Sequence, residues 1–238
     1  MELNGSNIVV VGAGIGGLAA ALSLRARGAD VTVLEQAQAI TEVGAGLQIT
    51  PNGVTVLRAL NLENALAATS VRGQAVALCE HTTGAEVVRL DLTRLAANQS
   101  YYFVHRADLI DLLALAVRQA GVQVRLLQKV ERVEPEQQSG AGSRVVLANG
   151  AVLHADLVVG ADGLHSRARL ALNNANPRMS NSFIMATRAL IVISPRLPIT
   201  MILPYFATKS MSVARFTFAS ISRIRCGPPS DRLRTSSM

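Results

Sequence analysis

Cysteine and aromatic residues are scarce in this chain of 238 residues. The two cysteines, Cys79 and Cys226, lie far apart and match no metal-binding spacing, and only 3% of the residues are aromatic. Two isolated cysteines do not make the disulfide framework of a small secreted domain. The composition therefore predicts unbridged thiols, a reducing compartment and a cytoplasmic location, and it predicts no metal site.

Acidic residues are nearly absent from the last third of the chain. Residues 1–163 carry 12 Lys/Arg and 15 Asp/Glu, a net charge of −3, whereas residues 164–238 carry 11 Lys/Arg and only Asp231, a net charge of +10. A basic segment can attract nucleic acid or an anionic surface. These arginines follow no helical stripe, and few aromatic residues accompany them to stack on bases. We therefore expect no nucleic-acid partner.

Long apolar runs are also lacking. The uncharged residues 8–24 are fewer than the roughly 20 that a membrane helix needs, and four glycines interrupt them. Residues 183–204 are interrupted by two arginines and three prolines. A secretory signal is disfavoured because Glu2 precedes the first apolar run and no Lys or Arg does. We expect no stable membrane insertion.

The strongest motif spans residues 8–35 and predicts a βαβ unit. Its parts are a β-branched apolar strand, a glycine-rich turn, a helix of good helix formers and a second strand, at residues 8–11, 12–17, 18–27 and 31–34. Within the turn, Gly12, Gly14 and Gly17 fit the pattern G-x-G-x-x-G. In this context the pattern indicates a dinucleotide site, and the alternative is an ordinary glycine-rich turn.

Each residue of this motif has a physical task. Gly12 permits a tight turn, Gly14 lets the backbone approach a pyrophosphate, and Gly17 lets the helix pack close to the strand. The free amides and the dipole of the first helical turn favour the phosphate charge. Glu35 follows Gly12 by 23 residues, where a carboxylate can accept hydrogen bonds from ribose hydroxyls and disfavours a 2′-phosphate.

The patterns downstream predict further elements of an α/β fold. The expected elements are an outlying hairpin at 75–78 and 86–90, a helix at 107–120, a strand at 122–127, an antiparallel pair at 129–134 and 144–147, and a strand at 156–159. Asn149 and Gly150 favour a type I′ turn. From about residue 174 the periodicity decays, although residues 190–193 fit a strand.

A second glycine motif occupies residues 160–169 and again follows an apolar strand. Its glycines allow close backbone approach to a ligand, and Asp162 can accept hydrogen bonds from a hydroxyl or orient backbone amides. The alternative is a strand-to-helix turn in which Asp162 caps the helix. His165 and His105 are candidate proton carriers, but single histidines beside turns are more often structural or solvent-facing.

Together the motifs resemble those of the group A flavoprotein aromatic hydroxylases, in the branch of salicylate hydroxylase and 3-hydroxybenzoate 6-hydroxylase. The matching segments, in chain order, are residues 12–17, 34–37, 44–52, 105–109 and 160–169. The resemblance covers about residues 5–172. It implies a three-layer, Rossmann-like domain that binds FAD and NAD(P), with a partial β-sheet substrate domain.

The resemblance also implies roles for individual residues. The FAD pyrophosphate would be held by the glycine-rich turn, which comprises Gly12, Gly14, Ile15, Gly16 and Gly17. The adenosine ribose would be held by Glu35, with Gln36 beside it. Arg106 would reach the cofactor, Val130 would meet the adenine end through its backbone, and Asp162 belongs to a motif linked to both FAD and NAD(P)H. For Arg106 the alternative is an exposed arginine at a helix start. We assign no catalytic residue.

The implied function is NADH- or NADPH-dependent hydroxylation of a small phenolic or aromatic acid with O₂, in a protein compatible with homo-oligomers. The implied division is an FAD-binding domain at 1–172, whose hairpin at 74–91 belongs to the substrate-side sheet. A partial substrate domain at 173–204 and a disordered tail at 205–238 follow.

The chain departs from the family in one respect, because it contains no Gly-Asp pair, whereas family members carry a later Gly-Asp-Ala motif. We therefore expect a truncated or frame-shifted product with weak FAD occupancy and poor hydroxylation. The alternatives are a non-catalytic nucleotide-binding remnant and another flavin or NAD-dependent oxidoreductase, such as a geranylgeranyl reductase-like enzyme.

Overall fold

The computed structural model describes residues 3–40, 45–135, 142–175 and 191–193. The helices and strands in these ranges are, in chain order, β1 Asn7–Val11, α1 Ile15–Arg25, β2 Asp30–Leu34, β3 Gly46–Ile49, α2 Pro51–Ala59, α3 Glu63–Thr69, β4 Val71–Arg72, β5 Ala75–Cys79, β6 Glu86–Asp91, a 3₁₀ turn Leu92–Arg94, β7 Tyr102–His105, α4 Arg106–Gln119, β8 Gln123–Arg125, β9 Val130–Pro135, β10 Ser143–Leu147, β11 Val152–Ala155, β12 Leu157–Gly160, α5 Arg167–Ala175 and β13 Ile191–Ile193.

The chain divides into two compact units. The first is built from two segments of the chain, one that ends at Ala45 and one that begins at Arg106, and it contains a five-stranded sheet. The strand order of that sheet is β13-β12-β1-β2-β8. Strands β12, β1, β2 and β8 are parallel, and β13 pairs antiparallel with β12. This topology confirms the α/β fold with a parallel sheet that the sequence predicted.

Strand β1 is apolar throughout because both of its faces are covered. Val9 and Val11 pack in one cluster with residues of β9, β10 and α5, including Val145. Ile8 and Val10 are each 0% exposed and face the opposite side, because side chains alternate along a strand. Helices α1 and α4 pack against each other and α1 packs on β1 and β2. The result is the predicted three layers, with helices, the parallel sheet and then the antiparallel sheet β9-β10-β11.

The second unit, Gly46–His105, contains α2, α3 and two small antiparallel sheets. One sheet has the order β3-β7-β4, and the other is the hairpin of β5 and β6. This hairpin confirms the prediction of an antiparallel pair outside the parallel sheet. At the end of β5, Cys79 is disulfide-bonded, so the expectation of unbridged thiols is wrong for this residue.

The turn between β10 and β11 differs from its prediction. The Gly150 N–H donates to the Leu147 carbonyl at 2.9 Å, and Gly150 has a φ of +85°. A type I′ turn needs positive φ at both central residues, but Asn149 has negative φ. The hairpin is therefore closed by a type I turn followed by a left-handed glycine. The Asn149 Oδ1 atom stabilises it by accepting the Ala151 N–H at 3.0 Å.

Two sequence predictions extend beyond what the structure describes. The domain division at 172 and 204 stays a prediction, because most residues after Ala175 lie outside the described ranges. The proposed tail at 205–238 lies wholly outside them. Within the described residues, no helix is long and apolar enough to cross a membrane.

The packing of α1 predicts opposite effects for two neighbouring glycines. A Cβ on Gly17 would lie 1.9 Å from the Gly12 carbonyl oxygen, whereas a Cβ on Gly16 would meet nothing within 4 Å. We expect Gly17→Ala to lower the free energy of unfolding by about 2 kcal/mol or more. We expect Gly16→Ala to raise it by about 0.5–1 kcal/mol, because alanine loses less backbone entropy in a helix.

Urea unfolding of the two variants and the starting protein, without added nucleotide, measures both effects. Equal midpoints for the two variants, or a more stable Gly17→Ala, would contradict the close contact between α1 and the turn.

Candidate cofactor-binding site

Three parallel strands bring both glycine motifs to one edge of the sheet. The Gly12 N–H donates to the Leu34 carbonyl at 2.8 Å, and the Ala161 N–H donates to the Val11 carbonyl at 2.8 Å. The turns after β1, β2 and β12 are therefore neighbours. Because β2 and β12 flank β1 on opposite sides, this is the point where the strand order reverses, which is where open α/β sheets bind ligands.

Gly12 and Gly17 are glycines for reasons internal to the protein. Gly12 has a φ of +100°, and a Cβ there would lie 2.5 Å from the Ala161 carbonyl oxygen. A side chain on Gly17 would collide with the carbonyl of Gly12. The tight turn and the close helix packing predicted for these two residues are both present.

Gly14 and Gly16 have no such internal reason. Gly14 has a φ of −74°, which any residue adopts, and an added Cβ at Gly14 or Gly16 would meet nothing within 4 Å. Both glycines adjoin the first helical residue, the half-buried Ile15. Missing side chains next to open space fit a group that comes close to the backbone from outside the protein, as the pyrophosphate of a dinucleotide does.

The amino end of α1 suits an anion. Its N-cap residue, Gly14, offers no side-chain oxygen to the first amides, and the first turn contains no acid. The first four N–H groups of a helix lack partners within the helix. Together with the helix dipole, these groups form a ready site for phosphate.

The amino end of α5 is closed, in contrast to that of α1. Asp162 Oδ2 accepts the amides of Arg167 at 2.6 Å and Ala168 at 3.2 Å, and Asp162 Oδ1 accepts the Ser166 hydroxyl at 2.6 Å. The Ser166 oxygen in turn accepts the Arg169 amide at 3.0 Å. Asp162 thus caps the helix, which is the alternative that the sequence left open. Its contact with a cofactor stays a prediction.

Glu35 connects the end of β2 to the glycine-rich turn. Its Oε2 accepts the Ala13 N–H at 2.8 Å, and its Oε1 accepts the Ala37 N–H at 2.9 Å. An ionised carboxylate has about four acceptor positions, so Glu35 keeps capacity for ribose hydroxyls. Gln36 beside it is exposed.

Arg106 lies on the same edge of the sheet, because α1 and α4 run in the same direction. At their carboxyl ends, Arg25 Nε donates to the Ala120 carbonyl at 3.2 Å, so their amino ends also lie on one side. Arg106 is the half-buried first residue of α4, and its N–H donates to the Ala45 carbonyl at 3.0 Å. The helix-start position is confirmed, but Arg106 is half-buried and not exposed as that alternative requires. The cofactor contact stays a prediction.

Val130 is near Glu35 but offers only its backbone. Its side chain is 7% exposed and packs in the cluster with Val11 and Leu34. Two residues earlier, the Gln128 N–H donates to the Glu35 carbonyl at 2.8 Å, which ties the start of β9 to the end of β2. This arrangement is compatible with the predicted backbone contact to adenine.

The residues that sequence analysis missed act through their main chains. Ala13, Ala37 and Ala161 supply the amides and the carbonyl that hold the turns together. Residue type gives no signal for such contacts, and only the neighbouring glycines mark their location. His105 and His165 are both exposed. In the part of the chain that the structure describes, no group of three or more His, Cys, Asp or Glu residues is arranged to hold a metal.

Comparison with known proteins agrees with this geometry. A family described as FAD binding domain matches residues 6–214. The chain is 40% identical over 175 residues to 3-amino-4-hydroxybenzoate 2-monooxygenase of Streptomyces cremeus, covering 72% of this chain and 43% of that protein. It is 34% identical over 182 residues to 3-hydroxybenzoate 6-hydroxylase 1 of Aquipseudomonas alcaligenes, covering 74% and 45%.

Solved structures give the same result. The tetrameric form of 2-methyl-3-hydroxypyridine-5-carboxylic acid oxygenase is similar with a TM-score of 0.62 at 28% identity, covering 71% of this chain and 42% of that one. This chain thus spans less than half the length of these relatives. With the glycine-rich turn, the open amino end of α1 and the family match over most of its length, the chain belongs to the FAD-binding-domain family.

Proposed function

We propose that this chain forms the FAD-binding part of an NAD(P)H-dependent monooxygenase that hydroxylates a small phenolic or aromatic acid with O₂. The observation that carries the proposal is the open amino end of α1 beside Gly14, with the carboxylate of Glu35 bonded to the adjoining Ala13 amide. A helix end for a pyrophosphate and an acid for a ribose match two adjoining parts of an ADP moiety.

The residues of this chain would divide the binding of FAD among them. Gly14, Ile15 and Gly16 would present backbone amides to the pyrophosphate, and Glu35 would accept the adenosine ribose hydroxyls. The negative charge of Glu35 disfavours a 2′-phosphate at that position. Arg106 would add a positive charge toward the cofactor from the start of α4.

The bound flavin would supply the redox chemistry, passing two electrons from NAD(P)H to O₂ so that one oxygen atom enters the ring and the other leaves as water. The chain's own contribution is binding, orientation and the exclusion of water from the site.

The substrate class follows from the names of the relatives. Those names specify a 3-hydroxybenzoate, a 3-amino-4-hydroxybenzoate and a 6-hydroxynicotinate as the compounds acted on. All three are aromatic rings that carry both a hydroxyl and a carboxylate, so we propose a substrate of this kind here. We also propose a homo-oligomer, on the tetrameric form of one structural relative.

We expect Gly14→Val to abolish FAD binding without unfolding the protein. The valine side chain would occupy the space through which the pyrophosphate approaches, yet that space is open in the protein itself. Flavin fluorescence titration measures binding, and thermal unfolding without FAD serves as the control for folding. A variant that retains FAD at the level of the starting protein would refute the site at the start of α1.

Turnover tests the proposed reaction directly. We expect salicylate or a hydroxybenzoate to stimulate NADH or NADPH oxidation by the FAD-loaded chain, with most electrons recovered as hydrogen peroxide because the sequence lacks a Gly-Asp pair. Oxygen uptake, peroxide assay and mass spectrometry of the ring product measure the partition, with Gly14→Val as the inactive control.

Two results would contradict this expectation. The absence of stimulation by any aromatic acid would favour the alternative of an FAD-binding protein without turnover. Stoichiometric hydroxylation would show that the Gly-Asp pair is dispensable for coupling.

A further inference from the structure

Glu35 joins two segments that are far apart in sequence. Its Oε2 accepts the N–H of Ala13, 22 residues earlier in the glycine-rich turn, while its Oε1 accepts the N–H of Ala37 in its own loop. Ala13 is only 3% exposed. The carboxylate therefore satisfies a buried main-chain amide in the segment that is expected to hold the pyrophosphate.

A buried amide without an acceptor is strongly unfavourable, and a bond to an ionised carboxylate is stronger than one between neutral groups. The turn needs such a hydrogen bond to hold it in place, because glycines on both sides of Ala13 give it more conformational freedom than other residues would. A second hydrogen bond runs from the Gly12 N–H to the Leu34 carbonyl at 2.8 Å. Both hydrogen bonds connect the turn to the end of β2.

The positioning contact and a ribose contact do not compete. The two amides use two of the roughly four acceptor positions of the carboxylate, which leaves the others for hydroxyl donors. The two contacts can therefore be present at the same time, and only one of them requires a ligand.

We propose that Glu35 is a positioning residue for the glycine-rich turn, in addition to its expected role toward the ribose. The carboxylate fixes the Ala13 segment before any nucleotide binds, so Glu35 supports pyrophosphate binding even when the ligand has no ribose hydroxyls. This inference rests on the FAD site of the proposed function.

Two nucleotides separate the positioning role from the ribose contact. ADP and 2′,3′-dideoxy-ADP share the pyrophosphate and the adenine, but only ADP can donate ribose hydroxyls to Glu35. Each is used to displace FAD from the full chain, in the starting protein and in Glu35→Gln. Glutamine keeps the shape of the side chain but loses its charge and one acceptor oxygen. Asp111→Asn, at an exposed position on α4, is the matched control.

We expect Glu35→Gln to weaken the binding of 2′,3′-dideoxy-ADP by about tenfold or more, the loss typical of a hydrogen bond to a charged group. ADP should lose at least as much, and Asp111→Asn should change neither affinity. If Glu35→Gln weakens ADP but leaves dideoxy-ADP unchanged, Glu35 acts only through the ribose and the proposal is wrong. Unchanged affinity for both nucleotides would also overturn it.

A measurement without nucleotide decides the positioning role independently of FAD. Amide hydrogen exchange followed by NMR should show faster exchange at Ala13 in Glu35→Gln than in the starting protein, while amides in the core of α4 keep their protection. Unchanged protection at Ala13 would refute the proposal. If the starting protein binds neither FAD nor ADP, the proposed function fails. The hydrogen-exchange result would still test whether the hydrogen bond from Ala13 to Glu35 holds the turn in place.

Discussion

The close approach of α1 to the end of β1 is the constraint on which the candidate site depends. It requires glycine at position 17, because any side chain there would enter the carbonyl of Gly12. It also places Gly12 against Ala161, which joins the turn after β1 to the turn after β12. If α1 were further from the sheet, its first amides would no longer adjoin the end of β2, where Glu35 lies.

Two carboxylates at this edge show how position determines the role of the same chemical group. Asp162 has both oxygens committed to Ser166 and to amides of α5, so it closes a helix end that would otherwise attract an anion. Glu35 accepts hydrogen bonds from only two amides. It lies beside the amino end of α1, whose N-cap residue has no side chain that could cap the helix. The result is an open helix terminus next to an acid, which is the arrangement that the proposed pyrophosphate and ribose contacts require.

Local pattern was sufficient for most elements of the first unit. The apolar run of β1 predicted a strand covered on both faces, and the packing of Val9 and Ile8 on opposite sides explains why no polar residue interrupts it. The hairpin of β10 and β11 was also predicted, but the type I′ turn predicted for it is wrong. An asparagine before a glycine fits more than one turn, and the choice depends on how the flanking strands pair.

The sequence by itself determined the glycine motif, the acid after β2 and the α/β class, because residue type and spacing are local properties that favour particular local backbone conformations. It left Asp162 undecided between capping and ligand contact, and it gave no sign that Ala13 and Ala37 hold the carboxylate of Glu35. Those contacts join segments distant in sequence through main-chain atoms that every residue carries. Only the tertiary structure, which brings the ends of β1, β2 and β12 to one edge, could decide them.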